Sequence, residues 1–209
     1  MNYSKHTRAT ARTTAAAVAA TFGVLAGLGT ASAGVDGVAG IVDHGQRTVE
    51  AISEDTRIDF VAPLDGNPLT REWFHNGRAS YRVSGPGAEN WHGHITIGYM
   101  VGYPATLNGK IRFQYQTPGL ELELGNDPKL DVFDLIPRVG VEVEAGFGPG
   151  IQTIECAGGD ISGTEGFVQM SGFHGTVTGV LGTTTIRPFV KVVGASGDTV
   201  ITYGPTSSI

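Results

Sequence analysis

Residues 110–144 read KIRFQYQTPGLELELGNDPKLDVFDLIPRVGVEVE, and the reading of this stretch decides the fold. On the way in, Lys110, Arg112, Gln114 and Gln116 alternate with Ile111, Phe113 and Tyr115. Thr-Pro-Gly at 117–119 interrupts the pattern. It then resumes shifted by one residue, with Glu121 and Glu123 set against Leu120, Leu122 and Leu124. Gly-Asn-Asp-Pro at 125–128 marks a turn. On the way back Val139, Val141 and Val143 stand against Arg138, Glu142 and Glu144. A period of two puts alternate side chains on opposite faces of a strand. The stretch therefore predicts one long antiparallel hairpin, apolar on one face through Ile111, Phe113, Tyr115, Val139, Val141 and Val143, and charged on the other.

Such a ribbon is unstable alone in water, because its apolar face and strand edges need partners. Two arrangements satisfy it. The face can pack on a second sheet, or several hairpins can close into a barrel whose apolar outside meets lipid. Each arm has about fourteen residues, roughly 45 Å at ~3.3 Å per residue. Tilted by about 40°, it rises roughly 35 Å, enough to cross a membrane. Strands in globular proteins are usually shorter, at about five or six residues.

The rest of the chain frames the hairpin. Thirty-two glycines in 209 residues suit turns, bulges and closely packed strands. A net charge of −6 speaks against a basic nucleic-acid surface. The single cysteine, Cys156, excludes an intrachain disulfide and reads as a small buried residue. Residues 1–33 carry Lys5, Arg8 and Arg12 without an acid, then an Ala-rich apolar run and the small-residue site Ala31-Ser32-Ala33. This is the pattern of a signal peptide cut after Ala33. Its removal takes three bases and moves the net charge from −6 to −9. The mature chain, 34–209, divides into a β-rich body at 34–105 and 147–209 and the hairpin at 106–146. Strands are expected at 48–52, 57–61, 79–83, 91–101, 151–155, 166–171, 174–180, 183–193 and 198–203, of ordinary sandwich length. Residues 69–77 look helical or turn-like, with Thr70 as a cap.

Little in the sequence supports chemistry. His92 and His94 share a strand face, but no further ligand lies at diagnostic spacing, so a metal site is not expected. Gly-x-Ser-x-Gly and the phosphate-loop pattern are absent. Glu121 with Glu123 could do acid–base work in principle, but a solvated or lumen-facing row is the simpler account. Neither an enzyme nor a cofactor is indicated.

Several segments are specific enough to resemble a family. They are PLTREWFHNGRASY at 68–81, GPGA at 85–88, GPGIQ at 148–152, DISGTEG at 160–166, HGTVTG at 174–179, RPF at 187–189 and GDTVITYG at 197–204. In this order, over nearly the whole mature chain, they resemble the MspA-type porins of mycobacterial outer membranes. The likeness is weakest in the first thirty or so mature residues and at the hairpin tip. It implies an all-β fold. A β-sandwich rim carries a long inserted hairpin, and eight subunits share a sixteen-stranded transmembrane barrel. Small hydrophilic solutes and ions would pass through its water-filled channel in the mycolate outer membrane. The family's ring of two adjacent aspartates falls on Glu123 and Leu124, so this sequence keeps one acid of the two, and its tip is shorter. Glu121 and Asp127 are the other acids available to the constriction. Vestibule positions fall on Glu144 and Glu165, and Glu142 shares the lumen-facing row.

Alternating arms agree with this picture physically, since in a closed barrel every backbone group in the lipid finds a partner. A carboxylate repeated around a narrow ring concentrates negative potential and favours cations. Lys110 and Arg112, higher in the arm, either line the upper stem or meet lipid headgroups. Two other functions fit the same residues: a secreted soluble β-sandwich that binds a ligand or partner, and a structural envelope protein that forms the barrel without conducting.

Overall fold

A computed structural model of the chain describes residues 34–107, 110–116, 121–123, 141–144 and 146–209. The proposed signal peptide therefore lies outside the described residues, as do Val139 and Asp127. The body is made of long antiparallel strands: β1 (Val35–Val42), β2 (Thr48–Val61), β3 (Thr70–Ser84), β4 (His92–Tyr103) and a short β5 (Ala105–Thr106). The hairpin contributes β6 (Lys110–Gln116), β7 (Glu121–Glu123) and β8 (Val141–Glu144). The chain then continues through β9 (Gly150–Ser162), β10 (Glu165–Thr178), β11 (Val180–Leu181), β12 (Thr185–Gly194), β13 (Thr199–Tyr203) and β14 (Ser207–Ser208).

Two sheets face each other. One runs β1-β2-β3-β10-β6-β8, with β7 also on β10; the other runs β13-β12-β4-β9, with β14 on β12. Between them lie two clusters of buried core residues. Tyr81 and Trp91 meet across one with ring centroids 5.8 Å apart, and Trp73 meets Tyr99 edge-on at 5.7 Å in the other. Such pairs add about 0.5–1.5 kcal/mol beyond their burial. Glycines make room for these rings: Gly175 lies directly opposite Trp73, and a Cβ added there would come within 2.5 Å of the indole.

The segment 69–77 differs from expectation. It is not helical; residues 70–84 are one fifteen-residue strand. Trp73, His75, Ala79 and Tyr81 point into the core while Phe74 and Arg82 stay at the surface, a period of two that local propensity does not reveal. Thr70 caps nothing, and its hydroxyl donates to Asp65 at 2.8 Å. The expected strands at 48–52 and 57–61 are one strand bent by a bulge, with Asp55 at φ 51°. Five strands of the sandwich, β2, β3, β4, β9 and β10, run to 12–15 residues and exceed the ordinary length expected.

His75 is almost fully buried, with Nδ1 2.8 Å from the Tyr99 hydroxyl. Burial pushes its imidazole from the usual 6.5 down to about 4. The unfolded chain takes up this proton near pH 6.5, and the folded chain only near 4. The stability His75 contributes is thus complete above about pH 6.5 and lost as pH falls through 4, on the order of 3 kcal/mol in all. Between pH 7 and 4.5, the His75→Gln chain should lose about 2–3 kcal/mol less stability than the parent. Denaturant midpoints at the two pH values measure it.

Candidate channel-lining site

The hairpin is rooted by backbone and side-chain bonds, because an inserted ribbon must leave and re-enter the sandwich with its polar groups paired. Strand β5 pairs with β11. The buried Thr106 donates its hydroxyl to the Gly146 carbonyl at 2.5 Å, and the Leu107 amide donates to the Gly179 carbonyl at 3.3 Å. The chain thus departs at 106–107 and returns at 146–147.

From this root β6 and β8 run antiparallel in an uninterrupted register: Lys110 opposite Glu144, Ile111 opposite Val143, Arg112 opposite Glu142 and Phe113 opposite Val141. Residues directly opposed in an antiparallel pair share a face. The residues expected to be apolar are thus matched with one another, and the charged residues likewise. Lys110 Nζ lies 3.6 Å from Glu144 Oε1, with both side chains well exposed. An exposed pair of this kind contributes about 0–1 kcal/mol to stability.

The inbound arm also pairs with β10, through both β6 and β7. Gln116 lies opposite His174, Gln114 opposite Thr176 and Arg112 opposite Thr178; nearer the tip, Glu121 lies opposite Gln169 and Glu123 opposite Phe167. The ribbon that the resemblance assigns to a shared barrel is, in the single chain, added to the edge of its own sheet. The reason is local. With β3 on one side only, β10 offers an open edge, and the arm has unpaired backbone groups of its own. Strand β10 carries a bulge against β3 between Met170 and Phe173. The sequence breaks its alternation at 117–119, between Gln116, which lies opposite His174, and Glu121, which lies opposite Gln169. Both strands change phase together, so Arg112, Gln114, Gln116, Glu121 and Glu123 all take register positions on the sheet's outward face.

Glu165, at the start of β10, is exposed on that face opposite Arg82, which lies 3.5 Å from Glu50. The structure thus brings Glu121, Glu123, Glu142, Glu144 and Glu165 onto one face of one sheet. Two features of the site escaped the sequence reading: the pairing of Lys110 and Arg112 with the outbound acids, and β10 as neighbour of the arm. The alternating bases at 110 and 112 facing alternating acids at 142 and 144 could have shown the first. Elsewhere, His94 is held by Asp160 at 2.8 Å, and no cluster among the described residues has the three or more ligands a metal ion needs. No helix among the described residues is long and apolar enough to cross a membrane.

The MspA family model matches residues 45–208. The chain belongs to the MspA family. Porin MspC of Mycolicibacterium smegmatis is 41% identical over 196 residues, which cover 90% of this chain and 91% of the relative. Porin MspA of the same organism is 41% identical over 204 residues, covering 94% and 97%. These MspA-family relatives are porins, so the chain falls among channel proteins and not among enzymes.

Proposed function

We infer that this chain is the subunit of an outer-membrane porin whose water-filled channel passes small hydrophilic solutes and ions and prefers cations. The supporting observation is the matched register of β6 and β8, polar rows together and apolar rows together, in a chain of the MspA family. A ribbon of this pattern is stable in a bilayer when sister hairpins close the cylinder, with Ile111, Phe113, Tyr115, Val139, Val141 and Val143 toward lipid. Eight copies, each giving one hairpin, form the ring in this reading. Cleavage after Ala33 precedes insertion into the mycolate outer membrane. The soluble binding-protein reading has no comparable support.

Glu121, Glu123 and Asp127 form the constriction in this reading, and Glu142, Glu144 and Glu165 line the wider lumen. A ring of carboxylates in a narrow pore raises the local cation concentration, most strongly at low salt. Purified oligomer in a planar bilayer should therefore show discrete conductance steps and a cation-selective reversal potential in a salt gradient. Replacing Glu121 and Glu123 together with Asn should cut the cation-to-anion permeability ratio several-fold with assembly intact. Anion selectivity of the parent, or an unchanged ratio in the variant, would overturn the assignment.

A further inference from the structure

The hairpin's charge is unevenly distributed along its length. Near the root two bases on the inbound arm, Lys110 and Arg112, oppose two acids on the outbound arm, Glu144 and Glu142, in one register, and Lys110 is in ion-pair contact with Glu144. The four residues sum to zero. Between residues 117 and 140 the sequence carries five acids, Glu121, Glu123, Asp127, Asp131 and Asp134, against the bases Lys129 and Arg138, a net −3 per chain. The neutral Gln114 and Gln116 separate the two levels.

We propose that Lys110 and Arg112 are specificity-determining residues that neutralise Glu144 and Glu142 in the upper stem, so that ion selection is confined to the acidic level near the tip. The inference rests on the channel reading above. It follows from how fields sum in a pore. Opposite charges a few ångströms apart on one wall present a dipole to a passing ion, and that field dies away across a wide lumen within a Debye length of about 8–10 Å. An excess of carboxylates over bases at a narrow level acts as a net charge. The pairing also serves the fold. Two opposed pairs of unlike charge favour this register over a one-residue slip, which would set charged residues against apolar ones. Bases at 110 and 112 therefore allow the acids at 142 and 144 to be kept as water-facing strand residues without adding a second selective ring.

A charge cycle tests this on the full-length oligomer in planar bilayers, with reversal potentials read in a potassium chloride gradient. The double variant K110Q/R112Q uncovers the acids and should raise the cation-to-anion permeability ratio at least about two-fold. E142Q/E144Q uncovers the bases and should lower it by a similar factor. The quadruple variant should return to the parent ratio. Each shift should shrink as mean salt rises from about 0.1 M to about 1 M. The single variants K110Q and E144Q, which disturb the register least, provide the same opposite shifts if a double variant fails to assemble. Unchanged ratios in K110Q/R112Q and E142Q/E144Q, or shifts of one sign in both, would overturn the proposal. A parent channel without cation preference whose two double variants still shift oppositely would support the neutralised upper stem while removing the assignment of selectivity to Glu121 and Glu123.

Discussion

Cysteines at positions 114 and 176, oxidised before assembly, are expected to leave the protein without conductance. Gln114 and Thr176 are directly opposed on β6 and β10 in the single chain. Opposed residues of an antiparallel pair lie about 4.5–5.5 Å apart at Cα, within the range a disulfide spans. A closed barrel makes a different demand on the same strand. One edge of β6 is bonded to β8, and in a ring of hairpins the other edge must bond to the neighbouring hairpin. That second edge is the one β10 holds. In the proposed ring the arm therefore exchanges β10 for a sister arm, trading one set of backbone hydrogen bonds for another. A covalent link between β6 and β10 blocks the exchange. Detergent-purified Q114C/T176C should be monomeric and silent in bilayers when oxidised, and should recover oligomers and conductance on reduction. Cys156 is buried and does not compete for the link. Conducting oligomers that retain the disulfide would mean that the arm keeps its place on β10 in the finished pore.

The same two strands show what the sequence discloses and what it withholds. The alternation at 110–116 and 141–144 is legible because each residue states its own face, and the observed register joins the faces as expected. The phase change at 117–119 is equally visible in the sequence, but the matching bulge of β10, between Met170 and Phe173, lies some fifty residues away. A local pattern records that a strand bends, not which neighbour it bends with. Residues 69–77 failed for a related reason. Thr-Arg-Glu-Trp-Phe-His resembles the start of a capped helix by composition. Its conformation is decided by two flanking strands, with Trp73 opposite both Phe60 and Gly175. Tertiary pairing of this kind overrides propensity. The acids of the candidate site were readable as residues, whereas the neutralising role of Lys110 and Arg112 needed the register.

Replacing Gly98 with alanine should sharply destabilise the sandwich that supports the hairpin and lower the oligomer yield. Gly98 sits in mid-β4, opposite Phe189 on β12, and β4 pairs on its other side with β9 through a register shift between Ile97 and Gly98. A Cβ there would lie 2.3 Å from the Ile154 carbonyl oxygen and 2.4 Å from the Phe189 ring. The ring can turn aside, but the carbonyl belongs to a paired strand and moves only if β4 and β9 part. Overpacking of a close-packed interior usually costs about 1–3 kcal/mol, and a clash with backbone lies at or above the top of that range. Against a total stability of about 5–15 kcal/mol, that loss removes much of the margin. Gly148 offers the control, since a Cβ there meets nothing within 4 Å. Denaturant midpoints followed by the fluorescence of the buried Trp73 and Trp91 should fall sharply for Gly98→Ala and hardly at all for Gly148→Ala. Oligomer yield should follow the same order, because the proposed ring takes each hairpin from a sandwich that holds its root.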